Sequence, residues 1–200
     1  MTKHSRLWAI SIIISAFALV PTGLKAGEPT QQLSHTINSF IAILMSTPVA
    51  ELQARGLPES ARQLIFARFD FTEMTRRSLG SHWKALNPRE QIEFVEAFTQ
   101  RLLYSYGRTL HSYGGEKIQF DGEVQDQKQA SVGTKVTGDN GDNLTIDYRL
   151  HDVDGQWKVY DVVIDHVSLV SNYRAQFARV IAKSSLHDLL QKIKVIPQGS

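Results

Sequence analysis

The stretch NLTIDYRLHDVDGQWKVYDVVIDHVSLV, residues 143–170, decides how the chain folds. Its first part alternates apolar and polar side chains, which is the period-two pattern of a half-buried strand. The apolar positions are Leu144, Ile146, Tyr148 and Leu150. Residues 152–155 then turn the chain, and a second strand with few interior charges runs back over 157–167. One face of this hairpin is apolar and needs a cover, which the amphipathic helix predicted over 171–183 supplies.

The rest of the chain divides into helical and extended parts. Apolar residues at helical spacing predict helices before residue 114 and after residue 170, and period-two patterns with turn residues predict strands between them. The predicted helices are 30–46, 58–69, 70–79, 87–113, 171–183 and 185–194, and the predicted strands are 117–120, 130–137, 143–151 and 156–167. Because the strands follow one another without helices between them, the sheet is expected to be antiparallel. This order predicts a single α+β domain with a sheet of about four strands.

Residues 1–26 predict a cleavable signal peptide. Lys3 and Arg6 precede a 14-residue uncharged apolar run, which fits a signal sequence and is shorter than the roughly 20 residues needed to span a bilayer. Leu24-Lys25-Ala26 would then place the mature start near Gly27, with residues 27–200 as the folded domain. An uncleaved N-terminal anchor is the alternative. Because the chain has no cysteine, acylation as a lipoprotein is excluded.

The net charge and the absence of cysteine limit the classes of partner and the means of stabilisation open to the chain. The whole chain has 22 basic and 20 acidic residues, a formal charge of +2. Residues 1–26 contain three of the basic residues and no acidic one, so the remainder has 19 basic and 20 acidic residues and a formal charge of −1. A nearly neutral chain without basic clusters gives no electrostatic case for binding nucleic acid or an anionic membrane. No disulfide can stabilise an exported protein of this composition, so its apolar core must do so.

Residues that carry chemistry are few and scattered. The histidines do not have the spacing of a metal site, and no nucleotide-binding loop or other cofactor motif is present. Asp161, between Tyr160 and Val162 in an apolar strand, is the strongest candidate for a general base. The alternative is a structural carboxylate paired with Arg149 or with a backbone donor. Neither a metal, a cofactor nor a catalytic residue is therefore predicted.

Six segments give the chain a resemblance to a known family. They are Phe69-Asp70-Phe71-x-x-Met74, Leu79-Gly80-x-x-Trp83, Phe94–Phe98 before Tyr106, Asp147-Tyr148-Arg149-Leu150, Gly155-x-Trp157-Lys158-Val159-Tyr160-Asp161-Val162, and Val167-Ser168-Leu169-Val170-x-Asn172-Tyr173-Arg174-x-Gln176-Phe177. In this order, over about residues 30–195, they resemble the toluene-tolerance family of periplasmic phospholipid-binding proteins. The predicted leader agrees with a periplasmic location.

The resemblance implies a carrier without enzymatic activity. It implies a helical layer packed on a curved antiparallel sheet, with an apolar cavity that holds the acyl chains of a phospholipid. It also implies two partners in the pathway that maintains outer-membrane lipid asymmetry, namely an outer-membrane lipoprotein complex and an inner-membrane ABC transporter with an MCE-domain protein. The headgroup, the number of acyl chains, the direction of transport and the oligomeric state stay open.

The cavity lining is predicted from the inward positions of the strands and from the aromatic stripe of the long helix. These lipid-binding candidates are Leu102, Tyr106, Leu110, Val132, Leu144, Ile146, Tyr148, Val159, Val163 and Phe177. A filled core is the alternative for the same residues, since periodicity does not distinguish a core from a cavity. Two other functions are also open: a small-molecule isomerase or dehydratase with a cone-shaped α+β fold, and a periplasmic adaptor that binds only protein.

Overall fold

The structure, a computed structural model, describes residues 27–111, 115–138, 141 and 143–194, without the side chains of residues 108–111. The predicted signal peptide, residues 1–26, lies outside this part of the chain, as does most of the turn after Gly138. The described helices are α1 Glu28–Ser46, α2 Val49–Arg55, α3 Glu59–Arg68, α4 Phe71–Leu79, a 3-10 helix Gly80–Ala85, α5 Pro88–His111, α6 Leu169–Lys183 and α7 Leu186–Lys194. The described strands are β1 Lys117–Asp126, β2 Gln129–Thr137, β3 Asn143–Val153, β4 Gln156–Ile164 and β5 Val167–Ser168.

Two helix starts follow directly from local sequence. The Asp70 carboxylate accepts the Glu73 N–H at 2.8 Å and begins α4. At the start of α5, the Asn87 side chain accepts the Glu90 N–H at 3.0 Å, while the Glu90 carboxylate accepts the Asn87 N–H at 2.8 Å. The reciprocal pair at α5 is a complete capping box, and the single bond at α4 is half of one. In each case a side chain three residues away satisfies an N–H that the helix leaves unpaired.

The start of α1 depends instead on a distant strand. Gly27, the residue before the helix, has no side chain to offer, and the Glu123 carboxylate of β1 accepts the Thr30 N–H at 2.8 Å. A Cβ on Gly27 would lie 1.9 Å from a Glu123 carboxylate oxygen, so the carboxylate lies directly against the glycine. This contact ties the N-terminal helix to the first strand.

The five described strands form one antiparallel sheet in the order β1-β2-β3-β4-β5. The predicted α+β class is confirmed, but the sheet has five strands where about four were expected. The predicted strand 156–167 is wrong at its end, because Asp165 and His166 both adopt positive φ angles, 44° and 67°. Two successive left-handed residues reverse the chain in the manner of a two-residue hairpin turn. Val167–Ser168 then pairs back onto β4 as β5.

A bulge in β4 changes which side chains face the helices. Leu150 pairs with Val159 and Arg149 pairs with Asp161, so Tyr160 is an extra residue without a partner in β3. Because side chains alternate along a strand, one extra residue moves every later side chain to the opposite face. Val162 therefore shares the face of Val159.

The buried apolar residues form two groups. The first, here called the sheet cluster, lies between α1 and the sheet and consists of Leu33, Ala130, Val132, Leu150, Trp157, Val159 and Val162. The second, here called the helix cluster, lies among α4–α7 and consists of Met74, Leu79, Leu86, Phe94, Ala97, Phe98, Leu102, Val170, Phe177, Leu189, Leu190 and Ile193. The helices thus cover the sheet and also enclose a core of their own.

Candidate functional site

The predicted lipid-binding residues divide between the two clusters. Leu102 and Phe177 are buried members of the helix cluster, and Tyr106 packs against it. Four others belong to the sheet side: Val132 and Val159 are members of the sheet cluster, and Ile146 and Tyr148 pack against it. The strand and helix patterns therefore identified positions in both apolar regions.

Three predicted residues are placed differently. Leu144 is half-buried near the start of β3, outside both clusters. Val163 is buried, but the bulge at Tyr160 turns it to the face of Asp161, away from Val159. The side chain of Leu110 lies outside the described part of the chain. The unbroken alternation assumed for β4 is the reason that Val163 and Val159 were expected on one face.

Phe69 connects the clusters and was not among the predicted lining residues. It packs against both of them, at the junction of α3 and α4. Its backbone pairs in parallel with Val159, and the next N–H, that of Asp70, donates to the Val159 carbonyl at 2.8 Å. The helix start at Asp70 was the one sequence signal for this junction, because it indicates where α3 must end.

Aromatic contacts dominate the middle of the helix cluster. The ring of Phe98 lies 4.9 Å from that of Tyr173 and 5.3 Å from that of Phe177, both in edge-to-face orientations. Such pairs add about 0.5–1.5 kcal/mol beyond the burial of their area. Side chains alone, without a backbone ladder, hold α5 against α6 at this point.

The two tyrosines among the candidate lining residues are neutral over the physiological pH range. Burial raises the pKa of Tyr148 to about 12, although a hydrogen bond with Thr134 opposes the shift. Burial also raises the pKa of Tyr106, and the nearby Tyr173 adds to the effect. Desolvation disfavours the phenolate in both cases. These hydroxyls therefore bring polarity without charge to the apolar regions.

Two surface pockets accompany the clusters. The first, here called the phenylalanine pocket, has a volume of about 300 Å³ and opens beside Phe69. Its lining is Phe66, Phe69, Asp70, Phe71, Thr72, Val153 and Lys158. Phe66 is 44% exposed, although its ring lies 5.4 Å from that of Phe71. None of the predicted lipid-binding residues lines this pocket.

The second pocket, here called the arginine pocket, has a volume of about 380 Å³. Its lining is Arg76, Arg77, Gly80, Arg149, Tyr160, Asp161, Val170, Ser171 and Arg174. Asp161 is the buried carboxylate of this region, with a side chain only 3% exposed.

The contacts of Asp161 match the structural one of its two predicted roles. Its carboxylate accepts hydrogen bonds from the Arg149 guanidinium at 3.1 Å, the Ser168 hydroxyl at 2.6 Å and the Val170 N–H at 3.0 Å. The pairing with Arg149 is therefore confirmed. Ser168 in turn accepts the Ser171 N–H at 3.0 Å, so Asp161 anchors the first turn of α6 to β4. A carboxylate held by three donors acts as a structural anchor.

Two kinds of feature, a metal site and a membrane span, are not found among the described residues. No three His, Asp or Glu side chains there come together in an arrangement that could hold a metal ion. Within the same part of the chain, none of the helices combines the length and the apolar character that crossing a membrane requires.

Comparison with known proteins identifies the family. The family model described as "MlaC protein" matches residues 34–195, which is most of the chain. The chain belongs to the MlaC family. The resemblance to the toluene-tolerance family is thereby confirmed, since a toluene tolerance protein, ttg2D of Pseudomonas putida, is 35% identical over 98 residues. That match covers 48% of this chain and 46% of the Pseudomonas protein, so the chain aligns with about half of that relative.

Two other relatives cover more of the chain. The intermembrane phospholipid transport system binding protein MlaC of Haemophilus influenzae is 25% identical over 191 residues, 92% of this chain and 89% of that protein. The solved structure of a phospholipid-binding protein from Ralstonia solanacearum, in complex with a phospholipid, has a TM-score of 0.74 and 22% identity. The structural alignment covers 84% of this chain and 95% of the Ralstonia chain. The structural likeness shows that the two chains share a fold.

Proposed function

We propose that the mature chain is a periplasmic phospholipid carrier that holds acyl chains between the sheet cluster and the helix cluster. The observation that carries this proposal is the pair of apolar clusters, which meet at Phe69 and which contain or contact seven of the ten predicted lining residues. The relatives support it, because the Haemophilus protein is named for phospholipid transport and the Ralstonia protein was solved with a phospholipid.

Enclosure is what the ligand chemistry requires. At ~0.8 kcal/mol per methylene, an acyl chain of about 16 carbons loses on the order of 12 kcal/mol if it stays in water. A carrier must therefore surround the chain rather than offer an open groove. Separating the helices from the sheet would create such a space, since side-chain contacts, unlike strand ladders, re-form around a ligand without breaking backbone hydrogen bonds.

The phenylalanine pocket is proposed as the space that the far end of an acyl chain reaches. It opens beside Phe69, where the two clusters meet, and Phe66 and Phe71 give it apolar walls. An acyl chain that lies between the clusters would displace Phe69 and extend into this pocket. The hydroxyls of Tyr148 and Tyr106 would stay uncharged beside the chain, as their raised pKa values require.

The carrier is proposed to act without chemistry and without its own energy source. The isomerase or dehydratase hypothesis would use Asp161 or a His in the cavity, and it is weakened because Asp161 anchors α6. Lipid would then pass according to relative affinity between this protein and the two proposed partners, an outer-membrane lipoprotein complex and an inner-membrane ABC transporter with an MCE-domain protein.

Mass spectrometry of the protein, purified without added lipid, tests the function. We expect a diacyl phospholipid to co-purify. The variant Ile146→Asp should lose it while circular dichroism stays native, because Ile146 is only half-buried against the sheet cluster and tolerates a charge that an acyl chain does not. Val124→Asp is the matched control, because Val124 is 73% exposed on β1.

Two results would contradict the carrier. Absence of any lipid from the wild-type protein would favour the protein-only adaptor. Unfolding of Ile146→Asp together with an absence of lipid would favour a filled core. N-terminal sequencing of the secreted protein tests the location, with a start near Gly27 expected and membrane-bound full-length chain as the contrary result.

Docking of the carrier is proposed at residues 168–174, where α6 begins. Arg174 is exposed there and is the proposed contact. If Arg174 acts in docking alone, Arg174→Glu should weaken pull-down of the MCE-domain protein while bound lipid is retained, whereas Arg89→Glu, whose side chain is 89% exposed on α5, should change neither. Unchanged binding of Arg174→Glu to both membrane complexes would remove the docking assignment.

A further inference from the structure

The arginine pocket brings together residues from distant parts of the sequence. Arg76, Arg77 and Gly80 come from α4 and the turn that follows it, Arg149 and Asp161 from β3 and β4, and Arg174 from α6. Gly80, Arg149, Asp161 and Arg174 belong to four of the six segments that relate the chain to its family. The proposed carrier function does not use the space between them.

Positive charge exceeds negative charge in this pocket. Four arginines line it, and Asp161 is the one carboxylate among its lining residues. A second carboxylate, Glu73, bonds to Arg76 and, at 2.7 Å, to Arg77. Asp70, which also attracts Arg76, pairs with His151 at 3.0 Å. Within the described part of the chain, Arg174 has no carboxylate partner, so its charge is the one left over.

The guanidiniums have defined neighbours in the fold. Arg149 is fixed by Asp161, and Arg77 lies over the Tyr160 ring at 4.0 Å from its centre. Arg174 lies against Gly80, where a Cβ would be 3.1 Å from its Nε atom. Gly80 also has a φ of +58°, which favours glycine over every residue with a side chain. Positioned donors lose less conformational entropy on binding than mobile ones.

Ion pairing for stability alone is the simpler explanation of such a cluster, since exposed pairs are common and weak. It accounts for Glu73 with Arg76 and Arg77, and for Asp161 with Arg149. It does not account for the unpaired charge of Arg174 beside a concave space of about 380 Å³. The first turn of α6, which contributes Ser171 to the wall, adds the positive end of a helix dipole.

We infer that the arginine pocket binds a phosphate group. Guanidinium forks match the oxygens of phosphate and form charge-assisted hydrogen bonds with it. The pocket also borders the apolar interior, because Val170 both lines it and belongs to the helix cluster. The phosphate of a phospholipid headgroup and free inorganic phosphate share this chemistry. If the bound phosphate belongs to a lipid headgroup, the inference rests on the proposed function. If it is free inorganic phosphate, the inference stands without that function.

Titration of the delipidated protein with inorganic phosphate, followed by calorimetry, tests the site directly. We expect saturable binding that becomes about tenfold weaker in Arg174→Gln, which loses one charge-assisted bond. Arg89→Gln on α5 removes the same charge away from the pocket and should bind like wild type. Arg149→Lys keeps the ion pair with Asp161 but loses the fork, so it should also weaken binding, by severalfold.

A second titration separates the two sources of phosphate. The protein is loaded with either dioleoylphosphatidic acid or dioleoylglycerol, which share their acyl chains and differ in the phosphate. If the pocket holds the headgroup, Arg174→Gln lowers retention of the phospholipid about tenfold and leaves that of the diacylglycerol unchanged. Equal retention of both lipids, together with weaker phosphate binding, assigns the site to free phosphate.

Other outcomes overturn the inference or the function separately. No saturable phosphate binding, or equal weakening in Arg89→Gln, overturns the site, as does a folded Arg174→Gln protein that loses only its protein partners. Phosphate binding that depends on Arg174 in a protein that retains neither lipid leaves the site standing and removes the proposed carrier function.

Discussion

The sheet cluster and the helix cluster are both apolar, but they are held together in different ways. The strands that carry the sheet cluster are joined by continuous backbone pairing, for example from Gln129 to Thr137 against β3. In the helix cluster, α4 to α7 meet through side chains such as Phe98, Tyr173 and Phe177. Because contacts between side chains re-form more readily than a strand ladder, the helices are the part expected to move when a ligand enters.

Contacts at defined residues link the two regions. Phe69 packs against both clusters, and the Asp161 carboxylate ties β4 to the first turn of α6. A protein that opens between sheet and helices needs such fixed points, because without them the helical layer would detach instead of opening. Substitutions in each region and at Asp161 distinguish their contributions.

Phe98→Ala is expected to have the largest effect. Phe98 is 1% exposed and contacts two aromatic rings, so its truncation should lower the free energy of unfolding by about 3–5 kcal/mol. Amide hydrogen exchange should accelerate in α5 and α6 more than in β2–β4. Leu150→Ala is the matched variant in the sheet cluster and should reverse that pattern. Equal acceleration everywhere in both variants would mean that the two clusters are one cooperative unit.

Asp161→Asn tests the link between the regions. The substitution removes the charge that orders the first turn of α6 and leaves Arg149 without its partner. Because Arg149 is half-exposed and water can solvate it, we expect a loss of about 2–3 kcal/mol in urea denaturation. Asp126→Asn, at an exposed position on β1, is the control. A loss no larger than that of the control would show that the anchor is dispensable.

Glu73 makes the helical side sensitive to acid. Hydrogen bonds from Arg76, and then from Arg77, lower the pKa of Glu73 from 4.5 to about 2, against an opposing effect of burial. A carboxylate with a lowered folded-state pKa stabilises the fold fully above its unfolded pKa, and this stabilisation is lost as the pH falls towards the folded value. Urea midpoints should therefore fall between pH 4.5 and 2, and fall less in Glu73→Gln than in Glu59→Gln. Identical acid profiles of the two variants would refute this role.

Glu123→Ala should have the smallest effect, on the sheet side. It removes the acceptor of the Thr30 N–H, and loss of a helix cap typically costs about 1 kcal/mol. Thermal denaturation measures the change, with Gln125→Ala on the same strand as the control. If the two variants melt at the same temperature, water caps α1 as well as Glu123 does.

Much of the fold follows from signals within a dozen residues. The capping pairs Asp70–Glu73 and Asn87–Glu90 set the starts of α4 and α5, and alternation in β3 selected Ile146 and Tyr148 for the apolar face. Helix α2 gave no such signal, because seven residues with Leu52 as their buried apolar side chain are too short for a period to show. The family was also recognisable, since its six short segments occur in order along the chain.

The sequence by itself determined the α+β class, the antiparallel order of the strands and the main helix starts, because periodicity and capping are local properties of the chain. Tertiary structure decided which sheet face each side chain of β4 occupies, because the bulge at Tyr160 places Val163 on the face opposite to that of Val159. It also decided the division of the core at Phe69 and the meeting of Arg76, Arg149 and Arg174 at one pocket. Register and long-range packing set these features, and the residues that meet are separated by too much sequence for any local pattern to record them.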